Sequence, residues 1–199
     1  MHDSRGLPLI DTENFKILGS AVPDFKAGIQ NQLSYKQFSF SFLFDGQQGG
    51  DIYSFSHSVL GGAGKLKSSL PGRYEGIIGE GVVQNADGSY RKNDIVATPG
   101  DYYNQKYLRD NAEANIFDAS FIKLREVALE YRFSPKLLKN LGASSASFSL
   151  YGRDLLLFTK FPLYDPEIAT LNRNRIEAGF ETGQFPSTRR FGATLKASF

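Results

Sequence analysis

Cysteine and tryptophan are absent from this chain of 199 residues, methionine occurs once and histidine twice. Without thiols there is no disulfide framework, no thiolate metal site and no cysteine nucleophile. His2 and His57 alone do not suggest a histidine-based zinc site, so neither a metal nor any other cofactor is expected. Charge of one sign is missing too: 23 basic residues stand against 21 acidic ones, a net charge of +2. No field of that size points to nucleic acid. No run of about 18 apolar residues exists, which excludes a transmembrane helix. The N-terminal MHDSRGLPLIDTENF has no apolar stretch of the kind a secretory signal needs. These absences do not exclude a membrane. A transmembrane barrel alternates apolar and polar residues, so its mean hydropathy is that of a soluble protein.

What is present is aromatic and glycine-rich: 17 Phe, 10 Tyr and 20 Gly, a bias that suits strands and their turns. The length allows one domain, or at most two small ones. The closing RRFGATLKASF alternates strictly, with Phe191, Ala193, Leu195, Ala197 and Phe199 against Gly192, Thr194, Lys196 and Ser198. Period two over nine residues is a strand with one apolar and one wet face.

The same period recurs upstream. Phe25, Ala27, Ile29, Leu33 and Tyr35 share a face, with Asn31 the single misfit, and after Lys36-Gln37 come Phe38, Phe40, Phe42 and Phe44 against Ser39 and Ser41. So short a link predicts an antiparallel hairpin. In SFIKLREVALEYRF, Val127, Leu129, Tyr131 and Phe133 oppose Glu126, Ala128, Glu130 and Arg132, but Lys123 and Arg125 fall on the apolar side. SASFSLYGR alternates again, with Ala146, Phe148 and Leu150 on one face. Residues 1–22 read as an irregular lead-in. Residues 46–119 and 159–185 read as long polar connections, the first with a short helix near 53–60.

Five antiparallel strands in up-and-down order are therefore expected near 24–35, 38–46, 120–133, 144–156 and 187–199. The short connections fall on one side and the long ones on the other, the layout of bacterial outer-membrane barrels. Tyr35, Phe38, Tyr131, Phe133 and Phe199 gather on the short-turn side, like an aromatic girdle at a membrane interface. Five strands do not close a barrel, so an open sheet with two bare edges should result. A soluble β-sandwich, for instance a carbohydrate-binding module, would show the same stripes turned toward a shared core.

ASFIKLREVALEYRFSPKLL, SLYGRDLLLFTKFPLYDPE and the terminal strand ending in Phe resemble the C-terminal end of SusC/RagA-type TonB-dependent outer-membrane transporters. GLPLIDTENFKILGSAVPDFKAGIQNQLSYKQFSFSFLFDGQQGGDIYSF fits the same family, and the match spans nearly the whole chain. The resemblance implies the last five strands of a 22-stranded all-β barrel, 1–199 being one C-terminal piece without plug, TonB box or signal peptide. It also implies an outer-membrane location, import of oligosaccharides or peptides, and a SusD-like lipoprotein and TonB as partners of the whole protein. In such barrels the terminal strand is read by the outer-membrane assembly machinery through strand pairing. That makes Phe191, Leu195 and Phe199 the expected assembly signal.

No catalytic residue is expected. VLGGAGKLKS lacks the first Gly and the Ser/Thr of a phosphate-binding loop, since Val59 and Leu66 hold those positions; a mobile Gly-rich loop tip is the expectation. Asp165 and Glu167 of YDPE supply two carboxylates, yet an Asp-Pro turn in a surface loop accounts for them. Tyr102, Tyr103 and Tyr107 are expected to pack within the long connection rather than form a site. Arg189 and Arg190 are expected at the extracellular rim. Which residues would contact substrate is not indicated by the sequence.

Overall fold

The structure, a computed structural model, describes residues 1–11, 13–139, 142–172 and 175–199. In chain order its elements are β1 (Phe25–Tyr35), β2 (Phe38–Gln48), β3 (Asp51–Ser54), α1 (Phe55–Gly62), β4 (Val82–Gln84), β5 (Tyr90–Lys92) and α2 (Pro99–Lys106). There follow β6 (Ile116–Asp118), β7 (Phe121–Arg132), α3 (Pro135–Lys139), β8 (Ser145–Thr159), β9 (Ala169–Asn172), β10 (Arg175–Ala178), β11 (Phe180–Glu181) and β12 (Arg190–Ser198). The chain divides into two compact units.

One unit comprises Val22–Gly50, Asp118–Glu167 and Phe185–Phe199. It holds an antiparallel sheet in the order β1-β2-β7-β8-β12. The five expected strands are all there, in up-and-down order, with β1 and β12 as the edges. Lengths of 9 to 15 residues match the ~9–11 residues that a tilted strand needs to cross a bilayer. The β1–β2 link turns on Lys36, at φ 53°, because a two-residue hairpin needs a left-handed residue and no glycine stands there.

Register fixes which side chains share a face. Tyr35, Phe38, Tyr131, Phe148 and Leu195 form one row across all five strands; Leu33, Phe40, Leu129, Leu150 and Ala193 form the next. On the opposite face run Ser34, Ser39, Glu130, Ser149 and Thr194. The apolar rows are open rather than packed under a second sheet, with Phe38 50 %, Leu150 51 % and Leu195 70 % exposed. A sandwich would bury them.

The other unit comprises Met1–Ala21, Asp51–Phe117 and Ile168–Gln184. Among the described residues Met1–Ala21 holds no helix or strand, as expected of an irregular lead-in, and the long polar connections pack with it around a small core. Leu7, Ile52, Val83, Ala97, Tyr103 and Tyr107 are buried together with polar Ser54, Ser58, Asn93, Asn115 and Glu181. His2 bridges to Pro8 and Val83, so the start of the lead-in is built into this unit. Helix α1 forms where a short helix was expected. Its N-cap is Ser54, whose hydroxyl accepts from the His57 amide at 3.0 Å, satisfying an otherwise orphaned donor. Helix α2 starts at Thr98-Pro99 with Asp101 in its first turn, a capped start.

One local expectation changes within this unit and another holds. The glycines of VLGGAGKLKS are not a loop tip: Gly61 lies in the last turn of α1, where a Cβ would stand 2.5 Å from the Tyr107 ring. Close approach of α1 to that ring requires glycine. Tyr103 and Tyr107 are core residues, as expected, with hydroxyls bonded to Pro71 O and Ser68 Oγ.

Candidate functional site

The sheet carries its chemistry at the end of the long connections. Lys123 is 3 % exposed and donates through Nζ to Asp165 Oδ2 and Glu167 Oε2, both at 2.7 Å. Arg125 donates to Glu167 Oε1 at 2.6 Å and, through Nε and Nη2, to Asp45 Oδ2. Five charged groups thus alternate in sign as Asp165–Lys123–Glu167–Arg125–Asp45. A buried ammonium survives only with such partners.

Alternation alone puts Lys123 and Arg125 on the apolar face, and a β-bulge removes the contradiction. Between Glu126 and Leu124 the pairing of β7 with β2 skips Arg125, so Leu43 and Phe44 are consecutive while their partners are not. One extra residue shifts the parity. Leu124 and Ile122 thereby join the open apolar face, opposite Phe44 and Gly46, and Lys123 turns inward with Asp45.

The YDPE carboxylates need the matching correction. Asp165 is buried, 4 % exposed, not part of a free surface turn. Glu167 and Asp165 meet on a single ammonium, which accounts for both as ion-pair partners and leaves no free acid–base pair.

Burial pushes the Glu167 carboxyl up, but the hydrogen bonds and charges of Arg125 and Lys123 outweigh it and hold it below its ordinary 4.5. A lowered carboxyl stabilises the fold above about pH 4.5, and that contribution disappears as pH falls through the lowered value. Glu167→Gln is therefore expected to flatten the acid limb of stability below about pH 4.5 and leave the limb above pH 6 parallel to the parent. Thermal midpoints of the detergent-solubilised receptor across pH check this. An unchanged acid limb would remove Glu167 from the cluster's energetics.

At the opposite end the aromatics gather as expected. The Phe38 and Tyr131 rings lie 5.0 Å apart and Tyr131 and Phe133 5.3 Å apart. Phe191 and Leu195 lie on the apolar face of β12, and Phe199, 90 % exposed, follows the last pair. Arg190 is at the long-connection end, bonded to Asp154.

A sheet with one open apolar face, one polar face and charged groups at one end defines a segment of a transmembrane β-barrel wall. No family model matches the chain. It is 30 % identical over 204 residues to TonB-dependent receptor P26 of Formosa agariphila, a match covering all of this chain and 19 % of that protein. TonB-dependent receptor P3 of the same organism is 27 % identical over 201 residues, covering 99 % of this chain and 18 % of that protein. The chain therefore spans about a fifth of the length of the curated relatives it matches. Among solved structures, the RagAB peptide importer in its closed-closed state superposes with a TM-score of 0.64 at 19 % identity, over 92 % of this chain and 18 % of that one. Its open-open state gives 0.62 at 20 % identity, over 89 % and 17 %. These likenesses support reading the chain as a C-terminal fragment of a SusC/RagA-type TonB-dependent receptor.

Proposed function

We propose that residues 1–199 form the C-terminal part of the barrel of an outer-membrane importer that takes up oligosaccharides or peptides. The whole protein works with TonB and a SusD-like lipoprotein and has no catalytic role. The observation that carries this reading is the open apolar face running across five strands of bilayer-spanning length. In water that face is a liability, whereas lipid gives it a solvent. A soluble carbohydrate-binding module would need the face covered. Fractionation tests the reading: the receptor should partition with outer membranes and disperse only in detergent. Recovery as a dispersed monomer without detergent would count against it.

The same reading gives Phe191, Leu195 and Phe199 a second role, as the stripe recognised by the assembly machinery. Near the interface a lysine costs only about 0–1 kcal/mol of lipid transfer, so Phe199→Lys should barely change stability. If the terminal aromatic is recognised, outer-membrane levels should nevertheless fall severalfold. Lys196→Ala, on the polar face opposite Ser147, should assemble normally. Near-normal levels of both variants would leave Phe199 an ordinary lipid-facing residue.

A further inference from the structure

The unit formed by Met1–Ala21, Asp51–Phe117 and Ile168–Gln184 contains a cleft of about 450 Å³. Tyr53, Phe55, Arg109, Asp110, Ala112 and Phe180 are among the residues that line it. The Tyr53 and Phe180 rings lie 6.1 Å apart, tilted by 50°. Arg109 lies over the Phe55 ring at 5.8 Å and has no salt bridge to the neighbouring Asp110 or to any other described carboxylate. Asp110 likewise has no ion pair among the described residues. The buried Tyr53 hydroxyl has no hydrogen-bond partner among the described residues. Burial pushes its phenol up, Arg109 opposing and Asp110 and Glu181 reinforcing, so it remains a donor near neutral pH.

A buried hydroxyl without a partner is uncommon in a native fold. Here it coincides with an unpaired cation, an unpaired anion and aromatic rings in one concave place. That is the make-up of a ligand pocket: mostly apolar walls with a few polar groups that fix orientation. The charges are one of each sign, so a neutral ligand suits them better than an ion. Hydroxyl groups both donate and accept, which serves guanidinium, carboxylate and phenol together. A sugar ring adds an apolar C–H face for the aromatic walls.

Resting on the uptake reading above, we propose that this cleft is a subsite for one pyranose ring of a neutral oligosaccharide. The ring lies on the Tyr53–Phe180 surface, and Arg109 and Asp110 take its hydroxyls.

The test uses the full-length receptor carrying this chain, in detergent, probed with an array of neutral oligosaccharides and, in parallel, a library of tetrapeptides. Wild type should bind at least one neutral oligosaccharide. Arg109→Ala and Tyr53→Phe should each weaken that binding about tenfold, the scale of one lost hydrogen bond in a desolvated site. Tyr53→Phe removes a group without a partner, so its thermal midpoint should not fall, which separates binding from folding. The thiol of Ala112→Cys should react with an impermeant maleimide and be protected by the bound sugar. Binding unchanged in both variants, or no binding to either probe set, overturns the subsite. Peptide binding alone overturns the ligand class. A thiol unreactive in the intact receptor overturns it as well, by showing the cleft filled by another segment. A receptor that binds sugar through these residues but supports no uptake would strike the transport reading and leave the subsite standing.

Discussion

Lys123→Met is expected to cost the receptor about 3–5 kcal/mol, the scale for removing one partner of a buried ion pair. Asp165, whose side chain is 5 % exposed, would be left without its cation, and Glu167 would keep only Arg125. The measurement is the urea midpoint of the folded species in detergent, followed by its heat-sensitive gel mobility. Adding Asp165→Leu should recover part of the loss, because an apolar replacement of both partners is often neutral. A single variant as stable as wild type would show that the cluster does not hold the Tyr164–Glu167 segment to β7.

Glu181→Gln is the second large expected effect. The Glu181 carboxylate is fully buried and accepts from Ser54 Oγ at 2.5 Å, Ser56 Oγ at 2.6 Å, Ser56 N at 3.1 Å and Gly183 N at 2.5 Å. It sits at the start of α1, where unpaired amides and the helix dipole favour an anion. An amide replaces one acceptor oxygen with a donor, facing donors already in place. The expected cost is about 3 kcal/mol, with faster hydrogen exchange at the Ser56 and His57 amides. Wild-type exchange at those amides would mean that α1 does not depend on this carboxylate.

The sheet was legible because lipid on one side and a polar interior on the other impose period two, which Phe38–Phe44 and Phe191–Phe199 keep without a break. Only its irregularities were hidden. Arg125 inserts one residue into that period, and no glycine flags it. Lys36 takes a left-handed conformation that sequence would assign to Gly or Asn. The YDPE motif stood out, but its partner Lys123 lies 42 residues away from Asp165, and the same parity break disguised that lysine as lipid-facing. In the other unit, Thr98, Pro99 and Asp101 did carry a helix-start signal. The core there is mixed: Asn115 is fully buried, donating to three backbone carbonyls and bonded through Oδ1 to His57 Nδ1. Polar residues in a core leave no apolar period to find. The cleft was illegible for a related reason, since Tyr53, Arg109 and Phe180 come together only through tertiary structure.

The bond from Ser54 to Glu181 spans 127 residues, and this sets an order in time. Helix α1 can form from local contacts, but the carboxylate that completes its first turn comes from a segment far along the chain. Loop closure over such a span is slow relative to local helix formation. Until the final connection is delivered, the amide of Ser56 must find its acceptor in water. The helix is thus finished only when the Glu181 segment docks, which ties maturation of this unit to the connection between β8 and β12.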